Sequence, residues 1–268
     1  MQYFIDEKSQ TLYFFPPVPL ESWTEGPYLT QQLVALNVSG ASHITLRGLG
    51  VHHSRGNGLL AIDVTGVRVE DCEISGHGQH GLIMNGTNSA VDGSKVYSVG
   101  CSGVRVAGGV GRALIAGNMS VTANHISNFS LWKRTYEPGI FWQGVGNRYS
   151  FNTVENGPHN CVLGGGNEDW PSGQGHPQPG DGSQNVFDGN SLDGCVYECG
   201  DCGAFYTCGQ QGSAWTSRGN VLRNSTFTNI GSWTMCVASS YPDQSASLPP
   251  GQQRFAHEQA VTSTLTPV

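Results

Sequence analysis

The sequence predicts an all-β fold, a parallel β-helix with coils of about 22 residues and long loop insertions. Glycine provides 38 of the 268 residues, and only 12% of the residues are charged. The share of glycine is about twice the usual value, and the share of charged residues is about half the usual value. Short strand-forming segments alternate with turn residues, and helical periodicity is almost absent. A thin coil cannot bury its own apolar face, so stacked coils must supply the core. A β-sandwich is the structural alternative, because it also uses many short strands.

A short phrase, a glycine or an asparagine followed by strand-forming residues, recurs along the chain. Successive copies are separated by 23, 22, 36, 21 and 43 residues. The shorter spacings correspond to one coil, and the longer ones indicate insertions. The copies begin at Gly58, Gly81, Gly103, Gly139, Asn160 and Gly203.

A second phrase follows each copy of the first and ends in an apolar residue. These ends are Ile74, Val96, Ile126, Val154, Leu192 and Phe227. Two residues earlier stands a small or amide residue: Cys72, Ser94, Asn124, Asn152, Asn190 or Ser225. An asparagine at a repeated turn can bond the coils on either side, and it tolerates the left-handed backbone conformation that we expect there.

Two regions lie outside the repeat, so we predict three segments. Residues 1–34 contain a strand pair, Tyr3–Ile5 with Thr11–Phe15, and a Pro-rich lead-in. Residues 35–240 form the β-helix, and residues 241–268 form a polar C-terminal tail. A solenoid needs capped ends, and neither flank has the sequence of a convincing cap. We therefore expect a neighbouring domain or subunit at its ends, or a longer parent chain.

Charge and hydropathy restrict the partners of the chain. The formal net charge is −7, with 20 acidic and 13 basic residues, whereas nucleic-acid binding needs clustered Lys and Arg. No apolar stretch approaches the roughly 18 residues of a membrane span. The first fifteen residues lack the apolar region of a signal peptide, but eight cysteines favour an oxidising compartment. We expect an extracellular or secreted protein.

The segment from Trp132 to Gly139 concentrates aromatic, cationic and acidic side chains in eight residues. Trp132 and Tyr136 are suited to stacking on sugar rings. Arg134 can pair with Glu137 or hold a hydroxyl or carboxylate of a substrate. The alternative is a structural loop with an aromatic plug and a surface ion pair.

A second loop contains three consecutive glycines, Gly164 to Gly166, followed by Asn167, Glu168 and Asp169. It lacks the pattern of a nucleotide-binding glycine loop. The acidic pair is suited to Ca²⁺, which prefers oxygen ligands, or to one carboxylate of a glycosidase pair. A polar turn is the alternative. His159, which precedes this loop, is more often a structural hydrogen-bonding residue than an acid or base.

Four cysteines, Cys195, Cys199, Cys202 and Cys208, cluster in a third loop. Their spacing lacks the paired form of common zinc sites, so disulfides or buried thiols are favoured over zinc or a reactive thiol. Cys161 lies in a strand phrase and is most simply a small core residue. Spacing alone does not give the disulfide connectivity.

Asp201 lies two residues before the phrase at Gly203, and Glu137 lies two residues before the phrase at Gly139. Equivalent positions of a solenoid stack on one face, so we expect these carboxyl groups two strand spacings apart, about 9–10 Å. Glycoside hydrolysis needs carboxyl groups about 5–5.5 Å apart for retention and about 6.5–9.5 Å for inversion.

Several motifs resemble right-handed β-helix proteins of the pectate-lyase-like superfamily, and most nearly the group around glycoside hydrolase family 141. They are Arg134-Thr-Tyr-Glu-Pro-Gly, Gly144-Val-Gly-Asn, Asn156-Gly-Pro-His-Asn, Gly164-Gly-Gly-Asn-Glu, Glu198…Asp201-Cys-Gly-Ala-Phe-Tyr and Arg218-Gly-Asn. The resemblance implies a right-handed β-helix over roughly residues 3–235 and a catalytic pair of Glu168 and Asp201. It also implies a substrate cleft lined by Arg134, Tyr136, His159 and Asn167.

We therefore expect a carbohydrate-active β-helix protein, most simply a glycoside hydrolase. Trp132, Glu137 and Glu198 join the predicted substrate-binding residues. No cofactor is expected, with Ca²⁺ as the alternative. A non-catalytic glycan-binding or structural module and a polysaccharide lyase or epimerase are the competing functions.

Overall fold

The computed structural model describes residues 2–16, 19–22, 29–110, 113–165, 182–199, 201–207 and 219–231. The chain divides into two compact units, Met1–Gln31 and Gln32–Val268. In the first unit, β1 (Gln2–Asp6) pairs antiparallel with β2 (Thr11–Phe15), which is the predicted strand pair, and a short 3-10 helix follows at Leu20–Ser22. The segment boundaries after residues 34 and 240 stay predictions.

The second unit contains three parallel sheets, each built from one strand per coil. Sheet 1 contains β3 (Val34–Asn37), β6 (Asn57–Thr65), β9 (Leu82–Thr87), β12 (Val104–Val110), β16 (Ile140–Gly144), β19 (Val162–Gly164) and β22 (Phe205–Thr207). Sheet 2 contains β4 (Thr45–Arg47), β7 (Arg68–Glu70), β10 (Ala90–Asp92), β14 (Ser120–Thr122), β17 (Arg148–Ser150), β20 (Val186–Asp188) and β23 (Val221–Arg223). Sheet 3 contains β5 (Gly50–Ser54), β8 (Glu73–His77), β11 (Lys95–Tyr97), β15 (His125–Ser127), β18 (Thr153–Gly157), β21 (Ser191–Cys195) and β24 (Thr226–Thr228). One further strand, β13 (Ile115–Ala116), pairs antiparallel with β12.

Strand order and direction confirm the predicted parallel β-helix. In each of sheets 1, 2 and 3, the strands follow one another coil by coil in sequence order. These strands are all parallel, and only the short β13 pairs antiparallel, with β12. The β-sandwich alternative requires antiparallel sheets and is excluded for the described residues. The predicted right-handed winding is the hand that parallel crossover connections strongly prefer. Among the described residues, no helix has the length and hydrophobicity needed to cross a membrane.

The glycine that begins the first phrase is needed because another sheet fills the interior at that corner. A Cβ atom at Gly81, Gly103 or Gly139 would lie 2.4, 2.5 or 2.3 Å from a methyl carbon of Val96, Ile126 or Val154, respectively. These three side chains are the ends of the second phrase and point inward from sheet 3. The two repeated phrases are therefore physically coupled within each coil.

A ladder of side-chain hydrogen bonds joins successive coils at the turn before sheet 3. Each backbone N–H donates to the side chain of the next coil: Cys72 to Ser94, Ser94 to Asn124, Asn124 to Asn152, Asn152 to Asn190 and Asn190 to Ser225. The predicted bonding role is confirmed. The left-handed backbone conformation, however, is adopted by the residue before each ladder residue and not by the ladder residue itself. Examples are Ala123 (φ 56°) and Phe151 (φ 57°). A second ladder through Asn147, Asn185 and Asn220, which we did not predict, precedes sheet 2.

The core of the later coils is filled by aromatic side chains. The Phe187 ring centroid lies 4.9 Å from the centroids of Trp142 and Tyr149 and 4.8 Å from that of Phe205. Earlier coils fill the same interior with aliphatic residues such as Val69 and Val91. This aromatic layer packs inside the coils that carry the candidate site.

Candidate functional site

The candidate site lies where the chain enters sheet 1, before strands β16, β19 and β22. Residues of segment 131–137 contact residues of segment 195–202, as Arg134 does with Glu198 and Tyr136 with Asp201. Two of the three predicted loop insertions therefore meet on one side. Most of the remaining insertion, the glycine loop that follows His159, lies outside the described residues, which omit residues 166–181.

Strand register corrects the predicted equivalence of Glu137 and Asp201. Ile140 pairs with Val162, and Val162 pairs with Phe205, so Gly139, Cys161 and Ala204 are equivalent. The last two copies of the first phrase therefore begin at Cys161 and Ala204, one residue later than the predicted starts at Asn160 and Gly203. Counting back, Glu137 aligns with His159 and Cys202, whereas Tyr136 aligns with Asp201. A shift of one residue turns a side chain to the opposite face of an extended segment.

Asp201 presents an exposed carboxylate held between two tyrosines. The Tyr136 hydroxyl donates to Oδ2 at 2.9 Å, and the Tyr206 hydroxyl lies 3.4 Å from Oδ1. The backbone of Tyr136 is left-handed, with φ of 55°, a conformation that disfavours residues with a Cβ atom. Strain of this kind persists where surrounding structure fixes it and is concentrated at functional sites. Sequence reasoning missed Tyr206 because we assigned its phrase only to a strand.

Arg134 and Glu198 form a two-point ion pair at the rim of the site. Two guanidinium nitrogens of Arg134 each donate to a different oxygen of Glu198. This hydrogen bonding holds the pKa of Glu198 below its usual range and raises the pKa of Arg134. Glu198 thus stays ionised, which makes it a poor proton donor. On the same loop, Trp132 exposes 66% of its surface.

His159 is buried behind Tyr136, with their ring centroids 4.7 Å apart. Its Nδ1 hydrogen-bonds Oδ1 of Asn160, while Nδ2 of Asn160 donates to the carbonyl of Gly203 at 2.8 Å. The amide orientation makes Nδ1 the donor to Asn160, which leaves Nε2 as the nitrogen for another partner. His159 is therefore placed to support Tyr136 rather than to line an open surface.

Glu137 belongs to a separate buried network rather than to the surroundings of Asp201, and its predicted substrate-binding role stays a prediction. It is only 4% exposed. Its carboxylate accepts hydrogen bonds from Ser102 and from Nζ of Lys133, and it lies 3.4 Å from the buried Arg105 guanidinium. Burial tends to raise the pKa of Glu137, but His80, Lys133 and Ser102 outweigh it and lower the pKa. Glu137 thus anchors the 131–137 segment to the preceding coil.

We expect the stability of the fold to decrease between about pH 6.5 and pH 4, because burial lowers the pKa of His77 and His80 from 6.5 to about 4. In this window the unfolded chain binds protons that the native state does not, so lowering the pH favours unfolding. Denaturant unfolding at pH 7 and pH 5 should differ by about 2 kcal/mol per histidine. His80→Gln should remove its share. Equal pH dependence in wild type and His80→Gln would contradict this assignment.

Four described cysteines form two disulfides, Cys161–Cys195 and Cys199–Cys202. Cys161 is buried as predicted, but it is cross-linked rather than a simple core thiol. Because Cys195 pairs with Cys161, a zinc site made of Cys195, Cys199, Cys202 and Cys208 does not form, and Cys208 lies outside the described residues. The disulfide preference is confirmed for the other three.

Two groups of described side chains have potential metal ligands within 4.8 Å of one another. One is His159 with Cys199 and Cys202, and the other is His80 with Cys101 and Glu137. In the second group, burial raises the pKa of the Cys101 thiol to about 11, and Lys133 already neutralises Glu137. That group is therefore better explained as a structural network than as a metal site.

Glu168 and Asn167, predicted as a catalytic and a substrate-binding residue, lie outside the described residues. The Ca²⁺ alternative at Glu168 and Asp169 lies there as well. Of the predicted site residues, the structure brings together Arg134, Tyr136, His159, Glu198 and Asp201.

No family model matches the chain, and no curated protein does. Two solved structures are similar to it. The A-module of mannuronan C-5 epimerase AlgE6 from Azotobacter vinelandii is 11% identical, with a TM-score of 0.42 over 72% of this chain and 56% of that chain. Pectate lyase Pel9A is 12% identical, with a TM-score of 0.38 over 78% of this chain and 55% of that chain. The chain thus spans just over half the length of either structure, and at this identity the likeness concerns the fold alone.

Proposed function

We propose that the chain is a carbohydrate-active β-helix protein, a glycoside hydrolase whose site is centred on Asp201. The observation that supports this most is an exposed Asp201 carboxylate positioned by the hydroxyl groups of Tyr136 and Tyr206. A carboxyl group held in this way can transfer a proton at a glycosidic oxygen or activate a water molecule. The exposed ring of Trp132 supplies a flat apolar surface suited to a sugar ring.

Hydrolysis needs a second carboxyl group, and we propose Glu168 for it. Glu198 is unsuitable because both of its oxygens accept hydrogen bonds from Arg134. Glu137 is unsuitable because it is buried against Ser102 and Lys133. Glu168 is proposed because the motif resemblance implies it as the partner of Asp201. The stereochemical course would follow from their separation.

A lyase or epimerase is the second candidate, favoured by the cluster of Tyr136 with Asp201 and His159. Such enzymes remove a proton next to a sugar carboxylate, which requires a base and a group that neutralises the carboxylate. Tyr136 could exchange the proton. Arg134, whose side chain is 38% exposed, could hold the substrate carboxylate by exchanging Glu198 for it.

The experiment is a product analysis of the full chain against neutral and uronate-containing glycans. New reducing ends without ultraviolet absorbance support hydrolysis, and their loss in Glu168→Gln supports the carboxylate pair. Products that absorb in the ultraviolet support elimination, and inversion of a uronate without chain cleavage supports epimerisation. Binding without any product would overturn both enzymatic proposals and leave a glycan-binding module.

We propose an oxidising, extracellular location, because two disulfides join described residues and disulfides persist in such compartments. A neighbouring domain or subunit that covers the solenoid ends also remains a proposal. It rests on the general need of solenoids for capped ends.

A further inference from the structure

Beside Asp201, the disulfide Cys199–Cys202 lies next to the imidazole of His159. One imidazole nitrogen and the two sulfur atoms lie within 4.8 Å of one another. The register explains the approach, because His159 and Cys202 are equivalent positions of successive coils. Carbohydrate chemistry at Asp201 assigns no role to the two sulfur atoms.

The orientation of His159 is the one found in metal-ligating histidines. Such residues usually donate one ring N–H to a fixed acceptor, which sets the tautomer and leaves the other nitrogen to bind metal. Here Nδ1 bonds the Asn160 amide oxygen, and that amide is itself held by the Gly203 carbonyl. The buried imidazole of His159 therefore already has the hydrogen bonds that orient the histidine ligand of a metal.

Two thiolates and one imidazole are a ligand set for Zn²⁺. Sites with three protein ligands keep a fourth position open for water or substrate, and sulfur ligands favour zinc over hard cations such as Ca²⁺. In the disulfide state the two sulfurs are bonded to each other and no thiolate exists. Metal binding therefore requires prior reduction.

We propose that the Cys199–Cys202 disulfide is a redox gate, and that its reduction creates a zinc site formed by Cys199, Cys202 and His159. A dithiol supplies two electrons and two protons, the S–S bond breaks to give two thiols, and the dithiol becomes a disulfide. Zn²⁺ then displaces the two thiol protons and binds both sulfurs. The bound metal would lie beside Asp201, which stands between the two cysteines in sequence.

The Cys199–Cys202 disulfide is the more accessible of the two disulfides. Cys161 and Cys195 are fully buried, whereas Cys199 is 9% exposed and Cys202 is partly exposed. A reductant can thus reach Cys199–Cys202 before the cross-link of the core. The zinc site needs only its three ligands, so it does not depend on the carbohydrate reaction.

The test titrates the full chain with Zn²⁺, before and after reduction by a water-soluble phosphine, since dithiols themselves bind zinc. Co²⁺ serves as a second probe, because thiolate ligands give it an intense charge-transfer absorption. We expect one tightly bound metal per reduced chain and none in the oxidised chain. Cys199→Ser and Cys202→Ser should abolish the tight site, and Asn160→Ala, which frees His159, should weaken it by about 10- to 100-fold.

Cys72→Ser is the matched control, because Cys72 is a free, buried cysteine on another part of the β-helix; it should leave metal binding unchanged. The double variant Cys161→Ala/Cys195→Ala tests whether the buried disulfide contributes ligands, and it should retain the site. Circular dichroism of each variant distinguishes loss of a ligand from loss of the fold. Equal zinc affinity in the oxidised and reduced chains, or tight Co²⁺ binding without the thiolate band, would overturn the proposal.

Discussion

Asp201→Asn is expected to lower the rate of carbohydrate turnover by about 10²- to 10⁴-fold, the usual contribution of a positioned acid or base. The amide cannot exchange a proton as a carboxyl group does, although it keeps nearly the same shape. Its amide oxygen can still accept a hydrogen bond from Tyr136 or Tyr206, so the surrounding site should persist. The measurement is kcat/KM on whichever glycan the product analysis identifies.

Asp92→Asn is the matched control for this loss. Asp92 lies on β10 of sheet 2, away from the entry to sheet 1, and the same change of charge there should leave turnover within about twofold of wild type, because surface substitutions away from special features have small effects. Wild-type turnover in Asp201→Asn would remove Asp201 from the chemistry. An equal loss in both variants would indicate that net charge, rather than position, matters.

Asn152→Ala is expected to destabilise the fold by about 3–5 kcal/mol, as four buried hydrogen bonds disappear together. The Asn152 side-chain oxygen accepts from both the backbone N–H and Nδ2 of Asn124 at 3.0 Å. Its Nδ2 donates to the Val121 carbonyl at 2.9 Å and to Oδ1 of Asn190 at 3.0 Å. Alanine satisfies none of these groups, and no water is expected to replace the side chain in so tightly packed a turn. Denaturant unfolding measures the loss.

Asn37→Ala removes an asparagine from β3 at an exposed position and serves as the control. Its side chain accepts one hydrogen bond from the Ser39 backbone, so the expected loss is at most about 1 kcal/mol. If both variants lose the same stability, the ladder does not hold the coils together. A lower denaturant midpoint in Asn152→Ala, with no such change in Asn37→Ala, would support the role of the ladder in holding the coils together.

The repeat could be predicted from sequence because physical constraints act on the same positions in every coil. Inward valines and isoleucines of sheet 3 exclude a Cβ atom at Gly81, Gly103 and Gly139. This constraint produces the glycine phrase. The need to satisfy turn N–H groups produces the Ser and Asn ladder. Sheet 2 was missed because we recognised only two repeated phrases, which correspond to sheets 1 and 3.

The register of the later coils could not be predicted, because Cys161 takes the place of the glycine. Its side chain turns inward and bonds Cys195, 34 residues away, so no local signal marks the position. The nearby Asn160 and Gly203 resemble the usual start of the phrase and moved the alignment by one residue. That shift exchanged the neighbours of Asp201, replacing Glu137 by Tyr136.

The central claim is that Tyr136 and Asp201, 65 residues apart, act as one unit in a carbohydrate site. A double-mutant cycle on kcat/KM with Tyr136→Phe, Asp201→Asn and the combined variant tests it most directly. We predict strong coupling, about 0.5–3 kcal/mol, so that Tyr136→Phe costs little once Asp201 has been changed. Independent effects, in which the two losses simply multiply, would contradict the claim.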